Sequence, residues 1–127
     1  MILLDTHALL WVLGHPERIG PKSRTALTES PTVYFSAVSI AEVRIKQMLG
    51  RLQAPSDLGP QAEAAGLVAL PLRPDHPPAI GEFDELIRHD PFDRLLLAQA
   101  WIERCRFLTS DGHLLDLQRD WIRDART

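Results

Sequence analysis

Four acidic residues stand near the ends of apolar runs and are widely separated along the chain: Asp5 in ILLDTHALLW, Glu42 in YFSAVSIAEV, Asp93 in HDPFDRLLLAQA and Asp111 in FLTSDGHLL. Each falls where the sequence switches from a strand pattern to a helix pattern. In an open parallel α/β sheet the carboxyl ends of the strands form one rim, and ligands bind there. Acids delivered to that rim by separate segments can converge in space. Converging carboxylates repel unless a cation neutralises them, and an all-oxygen donor set suits Mg²⁺ or Mn²⁺. The chemistry this pattern predicts is metal-assisted hydrolysis of a phosphodiester.

Three of the four acids also have a structural alternative. Ser39-Ile40-Ala41-Glu42 matches a capping box, in which Glu42 would bond back to the helix start. Asp90-Pro91-Phe92-Asp93 opens a helix with Asp at the cap, Pro at the first position and Asp in the first turn. Ser110 or Asp111 could cap the last helix. Asp5 differs, because an acid that ends a buried apolar strand is costly without a partner. Capping explains an acid at one helix start; it does not explain one at most of the strand-to-helix junctions.

The elements that must position these residues follow from periodicity. Ile2 to Leu4 reads as a buried first strand, with Thr6 able to cap a helix running to Gly14-His15-Pro16. A short helix is expected over residues 20–29 and a strand over Val33 to Phe35. Val38, Ala41, Ile45 and Met48 fall at helical spacing up to Gly50. A helix opened by Pro55-Ser56-Asp57 and running through 61–65 to Gly66, a strand over Leu67 to Leu72, a proline-rich surface loop over 74–81 and a short helix over 82–88 come next. Phe92 to Arg104 is apolar nearly all round and should be a central helix. Phe107 to Thr109 is the next strand, followed by a short helix and a possible edge strand at Trp121-Ile122. The alternation predicts an α/β fold: a three-layer α/β/α sandwich on a short, mostly parallel sheet of four or five strands, as one domain over 1–127.

Composition narrows the classes. At 127 residues, 45% hydrophobic and 24% charged, the chain is an ordinary globular length and mix. Cys105 is the only cysteine, which excludes an internal disulfide and fits a reducing cytoplasm. A charge at Asp5 comes too early for a signal peptide, and no apolar run is long enough to cross a membrane. A net charge of −3 disfavours bulk electrostatic binding of nucleic acid unless basic residues are grouped locally. Arg44, Lys46 and Arg51 lie on or after the Glu42 helix, and Arg88 and Arg94 flank Asp90. Together they could line a groove beside the acids and hold phosphates, though a solvated helix face is the plainer reading of each. His7 and His89 flank the expected site as outlying groups, since no pair of histidines has metal-ligand spacing. The tryptophans and phenylalanines read as core, and Cys105 as inert packing.

LLDTHALLW, FSAVSIAEVRIKQMLGRL, LPL with HPP, DPFDRLLLAQA and LTSD together resemble the PIN-domain ribonucleases, specifically the toxin of VapBC-type toxin–antitoxin pairs. The resemblance runs almost end to end. It implies Mg²⁺- or Mn²⁺-dependent cleavage of RNA in the cytoplasm, one or two ions per site, a homodimer, and a small antitoxin partner that occludes the site. Carried over residue by residue, the family's acidic cluster falls on Asp5, Glu42, Asp93 and Asp111. Thr6 matches the hydroxyl residue after the first acid, and Asp90 an additional acid. Ser110, Arg94 and Lys46 complete the expected supporting or substrate-contacting set. The chain departs from the family pattern ahead of DPFD, where His-x-Asp is common and Arg88-His89-Asp90 stands here, which argues against a catalytic role for His89. Two other classes share parts of the pattern: a receiver-type phosphoacceptor domain with its own Mg²⁺, and a catalytically silent PIN fold acting as a binding module. The first wants a lysine at a late strand end, where this chain has Ser36 and Ser110.

Overall fold

The computed structural model describes residues 1–127. Five parallel strands form one sheet in the order β3-β2-β1-β4-β5: β1 Ile2–Leu4, β2 Val33–Ser36, β3 Val68–Leu70, β4 Arg106–Thr109 and β5 Ile122–Asp124. All pairings are parallel, because each strand returns through a helix and none is joined by a hairpin. The helices are α1 Thr6–Gly14, α2 Pro21–Glu29, α3 Ala37–Met48, α4 Leu58–Ala64, α5 Pro91–Glu103 and α6 Gly112–Leu115. No helix is long and apolar enough to cross a membrane.

The period-two alternation of the strands splits the core into two layers. Leu3 and Phe107 point to one face, where they meet Leu96, Leu97 and Ala100 of α5, Leu114 of α6, and Phe83 and Leu86. Ile2, Leu4 and Leu108 point to the other, against Ala8 and Leu9 of α1, Ala62 of α4 and Ala125. Helix α3 joins the two layers: Val38 packs in the first and Val43 in the second. It therefore runs along the carboxyl rim of the sheet rather than flat on one face.

The strand order reverses between β1 and β4, where β1 leads outward to β2 and β4 leads outward to β5. That reversal leaves a crevice at the carboxyl ends of the two central strands, the usual ligand position in such sheets. The far edge is tied down at Gly20, whose N–H donates to Ala125 O at 2.9 Å. A Cβ on Gly20 would come within 2.3 Å of Arg126 O, so only glycine allows this close approach.

Several expected elements differ. Asp5, not Thr6, caps α1, and Thr6 is the first helical residue. Helix α3 starts directly after β2 with Ser36 as its cap, so Glu42 lies a turn and a half inside it. The Ser39–Glu42 capping box is therefore absent. The short helix expected over 82–88 is replaced by two 3₁₀ turns, Pro77–Glu82 and Asp84–Leu86. The break falls at Phe83, whose backbone leaves the helical region (φ −124°, ψ 59°) while its side chain is buried. The stretch expected to be a surface loop also buries His76 completely. Its Nδ1 accepts from Arg73 N at 3.0 Å and its Nε2 lies 2.9 Å from Glu103 Oε2, so both ring nitrogens are satisfied inside. Trp101, expected in the core, is 46% exposed.

Candidate metal centre

Asp5 is the first residue past β1 and is 3% exposed. Its Oδ1 accepts from Ala8 N at 2.7 Å, closing the first turn of α1, and its Oδ2 accepts from the Thr109 hydroxyl at the end of β4. The carboxyl thus spans the crevice between the two central strands. Burial raises its pKa, and the bonds from Thr109 and Ala8 oppose that rise. Thr109 was not among the residues singled out from the sequence. Its hydroxyl also accepts from Asp111 N at 3.0 Å, so one side chain fixes two of the acids.

Glu42 is 4% exposed and points into the rim from the middle of α3. Thr6 donates its hydroxyl to Glu42 Oε1 at 2.6 Å, with Ser39 Oγ 3.0 Å from the same hydroxyl. Glu42 Oε2 is paired with Lys46 one turn on. Glu42 raises the Lys46 pKa chiefly through that bond, with the fields of Asp90 and Asp93 adding to it. Lys46 is therefore engaged on the acids themselves.

Asp90 caps α5, accepting from Phe92 N at 2.8 Å, and Pro91 occupies the first helical position as the sequence pattern demands. Asp93 sits in the first turn. Just past β4, Asp111 caps α6, accepting from His113 N at 2.8 Å. Between Asp93 and Asp111 stands His89, whose Nε2 is 2.9 Å from Asp93 Oδ2 and 3.5 Å from Asp111 Oδ2. Desolvation raises the Asp93 pKa to about 6; the bond to His89 works against this, while the charges of Asp90, Glu42 and Asp111 push the same way. The ring of His113 lies against that of His89, with centroids 5.4 Å apart. A groove lined by Glu85, Arg88, His89, His113 and Asp116 opens beside them.

A sequence model of the PIN domain matches residues 2–120, nearly the whole chain. The chain belongs to the PIN domain family. Among proteins of curated function none matches it in sequence. Solved structures share its fold at low identity. VapBC2 from Rickettsia felis, crystallised with a DNA fragment of its promoter, superposes with a TM-score of 0.65 at 15% identity, covering 98% of this chain and 97% of that one. A toxin–antitoxin complex from Klebsiella pneumoniae gives 0.57 at 16% identity, with 87% of each chain covered. FitAcB from Neisseria gonorrhoeae gives 0.54 at 21% identity, covering 93% of this chain and 94% of that one.

In this PIN domain the ligand-type atoms of His89, Asp93 and Asp111 all lie within 4.8 Å of one another. Opposite ligands on a Mg²⁺-sized ion are separated by roughly 4.2 Å, so a small inward adjustment would let the three share one cation. Carboxylate oxygens in a half-buried, mutually repelling set are the donors such an ion requires, and the residues present fit it. Asp5 and Glu42 stand beside this triad, Asp5 held by Ala8 N and the Thr109 hydroxyl and Glu42 by the Thr6 hydroxyl and Lys46.

Of the residues singled out from the sequence, the rim brings together Asp5, Thr6, Glu42, Asp93 and Asp111, with Asp90 and Lys46 in electrostatic reach. Only Asp5 and Asp111 follow strands closely; Glu42 is inside a helix and Asp93 follows a 3₁₀ segment. Ser110 lies half-buried between Thr109 and Asp111. Arg94 is turned toward the preceding segment, donating from Nη1 to Ile87 O at 3.2 Å, and its Nε is buried without a partner. His7 is exposed. His89 was expected to be an outlying group and instead stands in the cluster. No local signal could have placed it there, because His89 precedes the cap of α5 and helical spacing does not apply to it.

Proposed function

We propose that this PIN domain is a divalent-metal-dependent endoribonuclease and acts as the toxin of a toxin–antitoxin pair. The observation that carries the reading is the convergence of Asp93, in the first turn of α5, and Asp111, just past β4, beside Glu42 and Asp5. The solved structures of similar fold include toxin–antitoxin complexes, which supports an antitoxin partner for this chain. The same reading includes a cytoplasmic homodimer.

Asp5, Glu42, Asp93 and Asp111 would hold one or two Mg²⁺ or Mn²⁺ ions. Such an ion supplies a nucleophilic water at neutral pH and offsets charge developing on the phosphoryl oxygens and leaving group. The protein's own share of the work is orientation. Asp5 is locked by Ala8 and Thr109, and Glu42 by Thr6, so neither carboxylate must be ordered during the reaction. Glu42 and Asp111 are the candidates to orient the attacking water, Asp111 being the more accessible at 30%. Arg94 and Lys46 are the candidates for backbone phosphates. Attack by water leaves the ribose 2′-hydroxyl out of the reaction and yields 5′-phosphate and 3′-hydroxyl ends.

The test is cleavage of a total-RNA pool by the purified protein with EDTA, with Mg²⁺ and with Mn²⁺, followed by end-group analysis. Cleavage should need added metal and vanish in Asp5→Asn. Metal-independent cleavage, or 2′,3′-cyclic ends, would overturn the reading. No cleavage of any RNA, with metal binding intact, would favour a silent PIN fold that acts by binding alone.

A further inference from the structure

The acid cluster contains one donor that is not an oxygen. His89 reaches the crevice from the segment just before α5, and its Nε2 lies nearer Asp93 and Asp111 than any basic side chain does. The distances carry the argument. Two neighbouring ligands on an octahedral ion with bonds near 2.1 Å stand about 3.0 Å apart, and on a tetrahedral ion about 3.4 Å. The His89–Asp93 and His89–Asp111 separations are 2.9 and 3.5 Å. The separations match those of neighbouring ligands, and the 2.9 Å contact with Asp93 is a hydrogen bond that an entering ion would replace. Its placement is supported: His113 packs against the ring, and His89 N donates to Leu86 O at 2.8 Å.

Building on the metal-centre reading above, we propose that His89 is a nitrogen ligand of the centre, and that the site selects first-row transition ions over Mg²⁺. Imidazole nitrogen favours ions such as Co²⁺, Ni²⁺ and Zn²⁺, whereas Mg²⁺ takes oxygen and gives up its water reluctantly. A donor set that adds His89 to the carboxylates is thus more selective than the carboxylates alone. Asp93 and Asp111 supply the charge, and His89 supplies the discrimination. The His89 side chain is 16% exposed, so the ring is not sealed in the core.

The experiment measures binding of the metal alone. Calorimetric titrations of the full chain with Co²⁺ and with Mg²⁺ are compared for the parent, His89→Ala and His113→Ala. Nitrogen hyperfine coupling to bound Mn²⁺ is read in the same three proteins. The parent should bind Co²⁺ more tightly than Mg²⁺ and show nitrogen coupling. His89→Ala should lose about tenfold or more in Co²⁺ affinity, a loss at least as large as that for removing a group that only orients a ligand. It should keep its Mg²⁺ affinity and lose the coupling. His113→Ala should retain the coupling. Equal losses for both ions, coupling that survives in His89→Ala, or coupling lost in His113→Ala alone would overturn the assignment of His89. A parent that binds neither ion would overturn the metal centre itself, so the two failures are distinguishable.

Discussion

The hydroxyl of Thr6 donates to Glu42 Oε1 at 2.6 Å, joining the first turn of α1 to the interior of α3. The bond is buried, and it fixes a carboxylate that no backbone group reaches. Replacing Thr6 with Val keeps the shape and removes the donor. A charged acceptor left unsatisfied in the interior costs about 1–3 kcal/mol, so Thr6→Val should lose that much stability, read as a lower denaturation midpoint at unchanged m-value. Thr6→Ser should recover most of the loss; if both variants match the parent, the bond does not order Glu42.

Asp111 serves as a helix cap and faces Asp93, and one substitution separates these roles. Asn caps as well as Asp, so Asp111→Asn should stay within about 0.5 kcal/mol of the parent in EDTA. It should nevertheless lose most of its metal-induced stabilisation and its RNA cleavage. Asp111→Ala should lose about 1 kcal/mol more through the missing cap. A fully active Asp111→Asn protein would confine Asp111 to capping.

The pKa of Asp93, raised to about 6, sets a pH dependence for the metal-free protein. A carboxyl whose folded pKa lies above its unfolded value of 3.8 holds its proton more tightly when folded. Its contribution is fully present below about pH 4 and is lost as pH rises through 6. Burial of Asp5 acts in the same direction. In EDTA the parent should lose ~1–2 kcal/mol over this window from Asp93, and Asp93→Asn should show a flatter profile. At pH 7 in EDTA, Asp93→Asn should be at least as stable as the parent, whereas excess metal should stabilise only the parent. A purely dipole-compensating Asp93 gives the opposite sign, because its loss costs about 0.3–1 kcal/mol with or without metal. Thermal melts of both proteins across pH 4–8 decide between the two.

Lys46 is paired with Glu42, and Arg94 with the Ile87 carbonyl, so their contacts with RNA compete with contacts already made. The double alanine variant should still bind RNA more weakly and with a shallower salt dependence, since each lost phosphate contact removes roughly one counterion from the release. An unchanged slope in filter binding across salt concentrations would restrict both residues to internal pairing.

Gly20 predicts a stability effect far from the site. A methyl there would meet Arg126 O at 2.3 Å, and backbone cannot yield as a flexible side chain does. Gly20→Ala should cost about 1–3 kcal/mol and loosen the carboxyl-terminal strand. Exchange of the Ala125 and Thr127 amides would then rise ahead of the rest of the sheet, and uniform exchange would show that the contact carries no local strain.

The sequence by itself determined the layers and the family. Continuous apolar runs in Ile2-Leu3-Leu4 and Phe107-Leu108, and helical apolar spacing elsewhere, dictate a sheet covered on both faces. Asp90-Pro91 fixed the start of α5, because cap and proline act on their own local backbone. Local rules misplaced what depends on distant partners. Ser39 and Glu42 have capping-box spacing, yet Ser36 ends a strand whose partners are β1 and β3, and the helix starts there instead. His76 sits in a proline-rich stretch that looks exposed, but Glu103, 27 residues away, satisfies it inside. Only the tertiary structure put Thr109 on Asp5, 104 residues apart, and set His89 between Asp93 and Asp111. A hydrogen bond or a ligand position is a relation between side chains in space; the sheet's strand order, not the spacing of residues along the chain, decides which of them meet.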